Sequence, residues 1–244
     1  MRKALGYIWG TVFVIVVWWI CALAIGSPAL PTPGASAVSL VQNIADIMPE
    51  FWVSLGRILL SMLIGALLGV PIGLWIGRSK RADAIFGPVL YVLYPVPKIV
   101  FLPVIFVLFG IGGQGKVVLI AIAIFFQMMV TMRDAAKNVP EGAVDSMRSL
   151  GASKFAIYWD VVFPATIPDL FTALRITCGT AVAILFIAES MAGSSGLGYF
   201  IMRSWSLLEY EQMFAGIIAM ALLGVILYEA FDIAEKRLTR WRRA

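Results

Sequence analysis

Apolar positions along this chain fall into long blocks. They show neither the spaced stripes of surface helices nor the strict alternation of half-buried strands. The blocks cover residues 5–25, about 51–77, 84–109, 117–132, 168–187 and 213–233. Most are long enough to cross a bilayer as helices, and all are too long for the strands of a membrane barrel. The pattern predicts an all-α integral membrane protein with six transmembrane helices. Residues 26–50 begin as a Pro/Gly-rich run and predict an external loop with a short surface helix over 37–48.

Polar or backbone-perturbing residues inside the blocks narrow the picture. Gly65, Gly69, Gly73 and Gly77 recur every four residues. They share nearly one helix face and predict close packing against another helix backbone. Pro71 predicts a local bend in the same helix. Pro95 and Pro97 cannot both sit in a regular helix, so the third span is kinked or broken there. Lys98 follows, near mid-span by counting, and has two readings. It faces a cavity as a functional group, or the break moves it outward and it reaches a surface. Gln127 either lines a path or bonds a neighbouring helix. Glu189, with Ser190, stands at the outer end of the fifth span, which Pro168 is expected to open, and on position alone Glu189 reads equally well as a solvated carboxylate at a helix end.

The longest polar interruption runs over residues 138–175. Asn138 with Glu141 three residues on reads as a helix start, close to a capping box. Pro140 is tolerable in a first turn. Ala143, Met147 and Leu150 recur at i, i+4 and i+7, a small apolar stripe outside the membrane. Gly151 is placed to end that helix in a left-handed turn. Tyr158, Trp159 and Phe163 interleaved with Lys154 and Asp160 suit a segment lying in the membrane interface.

Composition agrees with the pattern. The chain is 61% hydrophobic and 14% charged, with a mean hydropathy of +0.94; a soluble domain carries about 25% charged residues. There is no histidine, and the two cysteines, Cys21 and Cys178, lie in separate apolar blocks. They read as small buried hydrophobes, and no metal site is expected. Ala22-Leu23-Ala24 resembles a leader cleavage site, but the first apolar run exceeds the roughly 7–15 residues of a leader core and is read as a retained span.

With both termini cytoplasmic, the inner side gathers Arg2, Lys3, Arg78, Lys80, Arg81, Arg133, Lys137, Arg148, Lys154, Arg175, Lys236, Arg237, Arg240, Arg242 and Arg243. That is fifteen of the 19 basic residues. Arg57, Lys98, Lys116 and Arg203 remain. The positive-inside rule therefore puts the Glu141 loop in the cytoplasm. The basic tail reads as a topology signal, and no nucleic-acid partner is expected. The run from Gly110 to Lys116 nearly spells a phosphate-binding loop, but Val117 replaces the hydroxyl residue, and the run joins two spans. It is read as a turn.

The stretch from Glu141 to Pro164 resembles the EAA loop of membrane subunits of binding-protein-dependent ABC importers. Glu141, Ala143, Gly151 and Pro164 match that pattern; Gly142 and Phe163 depart from it. Phe109-Gly110-Ile111-Gly112, the Glu189 to Gly198 region and the run from Tyr228 through Trp241 also resemble the family. Ser54-Leu55-Gly56-Arg57, the four glycines and Gly87-Pro88 resemble its nitrate/sulfonate/taurine/bicarbonate branch.

The resemblance implies a type I importer permease, residues 1–244 forming one transmembrane domain with a cytoplasmic loop over 133–167. It implies that Glu141, Ala143, Met147, Ser149, Leu150, Gly151, Ala152 and Ser153 couple to an ATPase. Lys98, Gln127, Glu189 and Ser190 are the candidates for the translocation path. The implied partners are a second copy of the chain, two cytoplasmic ATP-binding subunits, an external substrate-binding protein and the lipid bilayer. ATP and magnesium belong to the partner ATPase, and this chain is expected to bind no cofactor and to catalyse nothing. The implied location is a bacterial inner membrane. The implied solute is a small organic anion such as taurine or another sulfonate, with nitrate, bicarbonate or a heterocyclic vitamin precursor as alternatives. Among other classes, a secondary transporter would need intramembrane carboxylates or paired broken helices. An intramembrane enzyme would need a nucleophile–base or metal constellation, and a membrane scaffold would not need the coupling-like helix.

Overall fold

A computed structural model describes residues 2–191 and 193–239, without the side chains of residues 2–5 and 7. The side chains of Arg2 and Lys3, and the tail residues Arg240, Trp241, Arg242 and Arg243, lie outside the described residues, as does Ala192. All regular elements among the described residues are helical. Among the described residues five helices are long and apolar enough to cross a membrane, and the spans number six if one bent pair counts as a single broken span.

Helix α1 is Arg2–Ile25, and its apolar window runs over Ile8–Ile25. Most of its side chains are uncovered within this chain, including Cys21, whereas Cys178 is buried. The expected surface helix over 37–48 is instead two elements. Helix α2 covers Pro33–Gln42, and α3 starts at Ile44 and runs unbroken to Arg78. Thr32 starts α2: its Oγ1 accepts the Ala35 N–H at 3.3 Å, and Pro33 supplies a preset first-turn φ. Asn43 closes α2 by donating from Nδ2 to the Ser39 carbonyl at 2.8 Å. The Pro/Gly run thus holds a helix start as well as a loop.

The third span is broken where the two prolines predict. Helix α4, Lys80–Leu93, and the segment Lys98–Phe109 meet at 81°. The second piece is one 3₁₀ turn, Lys98–Phe101, followed by α5, Leu102–Phe109. Helix α6, Gly113–Lys137, starts four residues before the apolar block and includes Lys116, which is buried. The Gly110 to Lys116 run is therefore a turn into a helix N-terminus with no preceding strand among the described residues.

Helix α7 is Glu141–Ser149, α8 is Lys154–Ile157, and a π-turn over Tyr158–Val162 leads into α9, Phe163–Met191. Pro168 lies inside α9 and does not open it. Pro164 sits in the first turn, where a missing N–H is harmless, so the helix is already under way when Pro168 is reached. Helices α10, Leu197–Ser206, and α11, Tyr210–Leu238, are the last elements among the described residues.

The chain divides into two compact units. Unit 1 comprises Met1–Ser54 and Glu189–Leu223; unit 2 comprises Leu55–Ala188 and Gly224–Ala244. In unit 1, Trp18 donates to the Pro31 carbonyl at 3.0 Å and stacks on Phe214 at 5.3 Å between centroids. Unit 2 is organised on α3 against α6. A Cβ at Gly65 would stand 2.6 Å from Ile124 Cγ2, and one at Gly69 2.7 Å from the Phe125 carbonyl oxygen. At Gly73 and Gly77 it would come closer still, to the carbonyl oxygens of Met129 and Arg133. Hydrogen takes the place of a side chain four times in succession, and the two backbones approach along the whole face. Met128, Met132 and Ile124 fill the seam and are almost fully buried.

Candidate functional site

Two places in the fold carry the polar residues singled out above. The first is the basic end of unit 2. Helix α7 does not begin at Asn138. That residue ends α6, its N–H donating to the carbonyls of Asp134 and Ala135. Pro140, extended at ψ 127°, is the boundary of α7, and no side chain caps the helix start. Glu141 turns away from a capping role and pairs with Arg78 of α3 at 3.3 Å. Its carboxylate is exposed, so the pair adds little stability and acts mainly to orient.

The Ala143, Met147 and Leu150 stripe is not what holds α7 to the protein. Val144 does that, at 2% exposure, while Ala143 is exposed, Met147 half-buried and Leu150 82% exposed. The helix ends in a Schellman motif. The Gly151 N–H donates to the Arg148 carbonyl at 3.0 Å, and the Ala152 N–H to the Met147 carbonyl at 3.1 Å. Gly151 has φ +81°, the left-handed region in which a side chain is strained. Ser149 is exposed and Ala152 half-buried. Ser153 starts α8 by accepting the Ala156 N–H at 3.2 Å. The result is a short, anchored helix ending in a sharp corner, with Leu150 standing out at the corner.

Nearby charges fix this end. Asp83 of α4 accepts from Arg133 Nε at 2.6 Å and from Lys137 Nζ at 2.5 Å; Arg133 also reaches Asp134 at 3.0 Å. Further along unit 2, Arg175 pairs with Asp232 at 2.7 Å and Glu235 at 2.9 Å, and Asp232 also pairs with Lys236.

Lys98 is half-buried and folds back onto its own segment. Its Nζ donates to the carbonyls of Leu93 at 2.6 Å, Val96 at 2.7 Å and Tyr94 at 3.1 Å. It also lies 4.7 Å from the centre of the Phe126 ring. The two prolines withdraw N–H donors from the end of α4, and the ammonium replaces them. Lys98→Met should lower the unfolding free energy of the purified chain by about 2 kcal/mol, since bonds to a charged donor are worth about 1.5–3 kcal/mol each and Lys98 is only half-buried. Thermal unfolding in mild detergent reads this. An unchanged transition would mean the carbonyls find other donors. Gln127 accepts from the Tyr94 hydroxyl at 2.9 Å, joining α6 to the end of α4.

The second place lies in unit 1. Glu189, in the last turn of α9, is fully buried, so its reading as a solvated helix-end carboxylate is overturned. The buried Ser54 hydroxyl lies 2.9 and 3.0 Å from its two oxygens, and the Gly198 N–H donates to it at 3.0 Å. The Leu197 N–H donates to Ser54 Oγ at 2.8 Å, and the Gly196 N–H donates to Glu50. Three successive N–H groups at the start of α10 are thus met by two carboxylates and a hydroxyl. Negative charge is favourable at that end of a helix. Gly196 has φ +104°, and a Cβ there would overlap the Glu189 carboxyl group. Ser190 beside it is half-buried.

Sequence reading found Glu189 and missed Glu50 and Ser54. The available signal was their i, i+4 spacing, two polar residues on one face at the edge of an apolar block.

Comparison with known proteins gives the family of the chain. Residues 69–240 match the family described as the inner membrane component of binding-protein-dependent transport systems. The taurine transport system permease protein TauC of Escherichia coli strain K12 is 30% identical, over 95% of this chain and 88% of its own length. The putative aliphatic sulfonates transport permease protein SsuC of Bacillus subtilis strain 168 is 28% identical, over 100% of this chain and 91% of its own. A chain of the MetNI methionine ABC transporter, solved in inward-facing conformations, superposes with a TM-score of 0.70 at 21% identity. That match covers 81% of this chain and 98% of that one, a likeness of fold. This chain belongs to the family of inner membrane components of binding-protein-dependent transport systems: it is a multi-pass permease subunit of an ABC importer.

Proposed function

We propose that this permease imports a small organic sulfonate of the taurine kind across a bacterial inner membrane by alternating access. The observation that carries the coupling half of this reading is α7: a short helix held by Val144 and oriented by the Arg78–Glu141 pair, with Leu150 left uncovered at a glycine corner. An apolar side chain standing clear of a rigid short helix is the usual currency of helix-in-groove docking. Its partner here is a cytoplasmic ATPase subunit, one for each of two permease copies, which holds ATP and magnesium and performs the hydrolysis. Glu141, Ala143, Met147, Ser149, Leu150, Gly151, Ala152 and Ser153 make the contact. ATP binding draws the two ATPase subunits together, the α7 helices move with them, and the two permease copies rock about the solute path. An external binding protein delivers the solute and selects it first.

The sulfonate assignment draws on the names of the two relatives, each of which matches nearly the whole chain. Its test is uptake in proteoliposomes holding the permease, its ATPase and the binding protein. Labelled taurine should accumulate only with internal ATP and be displaced by short alkanesulfonates, not by nitrate or bicarbonate. Accumulation of nitrate or bicarbonate with no response to sulfonates would overturn the assignment.

A further inference from the structure

Unit 2 has an apolar groove that the transport mechanism above does not use. It has a volume of about 510 Å³ and is lined by apolar and aromatic side chains of α3, α8 and the start of α9, together with Lys154. Its wall is an aromatic ladder. Phe155, Trp159 and Phe163 are spaced i, i+4, i+8, and their rings stack nearly parallel at 6.4 and 5.4 Å between centroids. Phe155 is 78% exposed and Trp159 61%. The π-turn over Tyr158–Val162 falls within this ladder, and the Tyr158 hydroxyl donates to the Leu74 carbonyl at 3.4 Å, which ties the ladder to α3.

We propose that this groove holds one acyl chain of an anionic phospholipid in the cytoplasmic leaflet, with the headgroup at Lys154. Three observations point to lipid. The walls belong to the apolar segments Ile44–Arg78 and Lys154–Met191, both long enough to cross the membrane. Leu74 lies one helical turn before Arg78, and Lys154 follows Arg148, so the groove opens among the basic residues that the positive-inside rule assigns to the cytoplasmic boundary. Lys154 is the one charged residue in an otherwise apolar lining, the complement of an acyl chain under a phosphate. Its volume lies within the usual range for small-molecule pockets. Lys154 has no ion-pair partner among the described residues, so its charge is available; a basic residue near an anionic surface contributes about 1 kcal/mol.

The test places a photoreactive benzoylphenylalanine at Phe155 in the full chain, expressed with its transport partners in native membranes. After illumination the chain is purified and its intact mass measured. A second chain carries the same group at Trp75, a half-exposed residue of α3 next to Leu74 in sequence, as a bulk-lipid reference. Adducts at residue 155 should have phospholipid masses, with phosphatidylglycerol enriched several-fold over its share at residue 75. Lys154→Glu should abolish the enrichment without abolishing lipid adducts. Cross-links from residue 155 to a second permease or to the ATPase, in place of lipid, would overturn the proposal. So would lipid adducts whose headgroup composition matches residue 75 and ignores Lys154.

Discussion

Gly196→Ala should remove about 4 kcal/mol or more from the stability of the folded chain. Three effects add. A side chain at φ +104° is strained by about 1–2 kcal/mol. The new methyl group overlaps the Glu189 carboxyl, so that carboxylate must leave its place. Its departure strips a partner from the Gly198 N–H and from the buried Ser54 hydroxyl, and each unsatisfied buried group costs about 1–3 kcal/mol. Domains are commonly stable by only about 5–15 kcal/mol, so the variant should express poorly or unfold about 10 °C lower in detergent. Gly26→Ala is the matched control. Gly26 has φ +60° with open space around it, so that variant should lose only the backbone term, about 1–2 kcal/mol. Equal losses at the two sites would mean that the Glu189 cluster adds nothing to the fold.

Gly69→Val should be comparably damaging through packing. A Cβ at Gly69 stands 2.7 Å from the Phe125 carbonyl oxygen and 2.9 Å from Met128 Cβ. The obstacle is backbone, so α3 and α6 must separate, and the contacts at Gly65, Gly73 and Gly77 loosen with them. Overpacking costs about 1–3 kcal/mol even where side chains can yield; here the branched Val should exceed about 3 kcal/mol. Gly56, earlier on the same helix, has nothing within 4 Å of an added Cβ. Gly56→Ala should be neutral or stabilising by up to about 1 kcal/mol, the helix-propensity difference. Opposite signs on one helix would separate contact from propensity. Tolerance of valine at Gly69 would refute the close approach of α3 and α6.

These two sites differ in how far the sequence revealed them. The glycine face is a local regularity, and four residues at one spacing define it without knowledge of the partner. The break at Pro95 and Pro97 and the left-handed corner at Gly151 are legible for the same reason: each follows from the covalent limits of one or two residues. What was missed depends on distant chain or on competition between neighbours. Ser54 and Glu189 meet across 135 positions, and no local pattern pairs them. Asn138 can start one helix or end another; α6 claims it because an uninterrupted helix reaches Lys137. Val144 breaks the apolar stripe by one position, and the stripe left outside is the one available for docking. Lys98 meets carbonyls that the break at the two prolines leaves at the end of α4, an arrangement that depends on how the broken segment folds back.

Co-purification tests the proposed docking of α7 most directly. The tagged chain, taken from native membranes in mild detergent, should bring with it a nucleotide-binding subunit at about one copy per permease. Leu150→Glu puts a charge on the 82% exposed corner residue and should release that subunit while the permease elutes at its folded size. Full retention of the ATPase by Leu150→Glu and by Gly151→Pro, or its absence from the unaltered, folded chain, would contradict the assignment of α7 as the coupling helix.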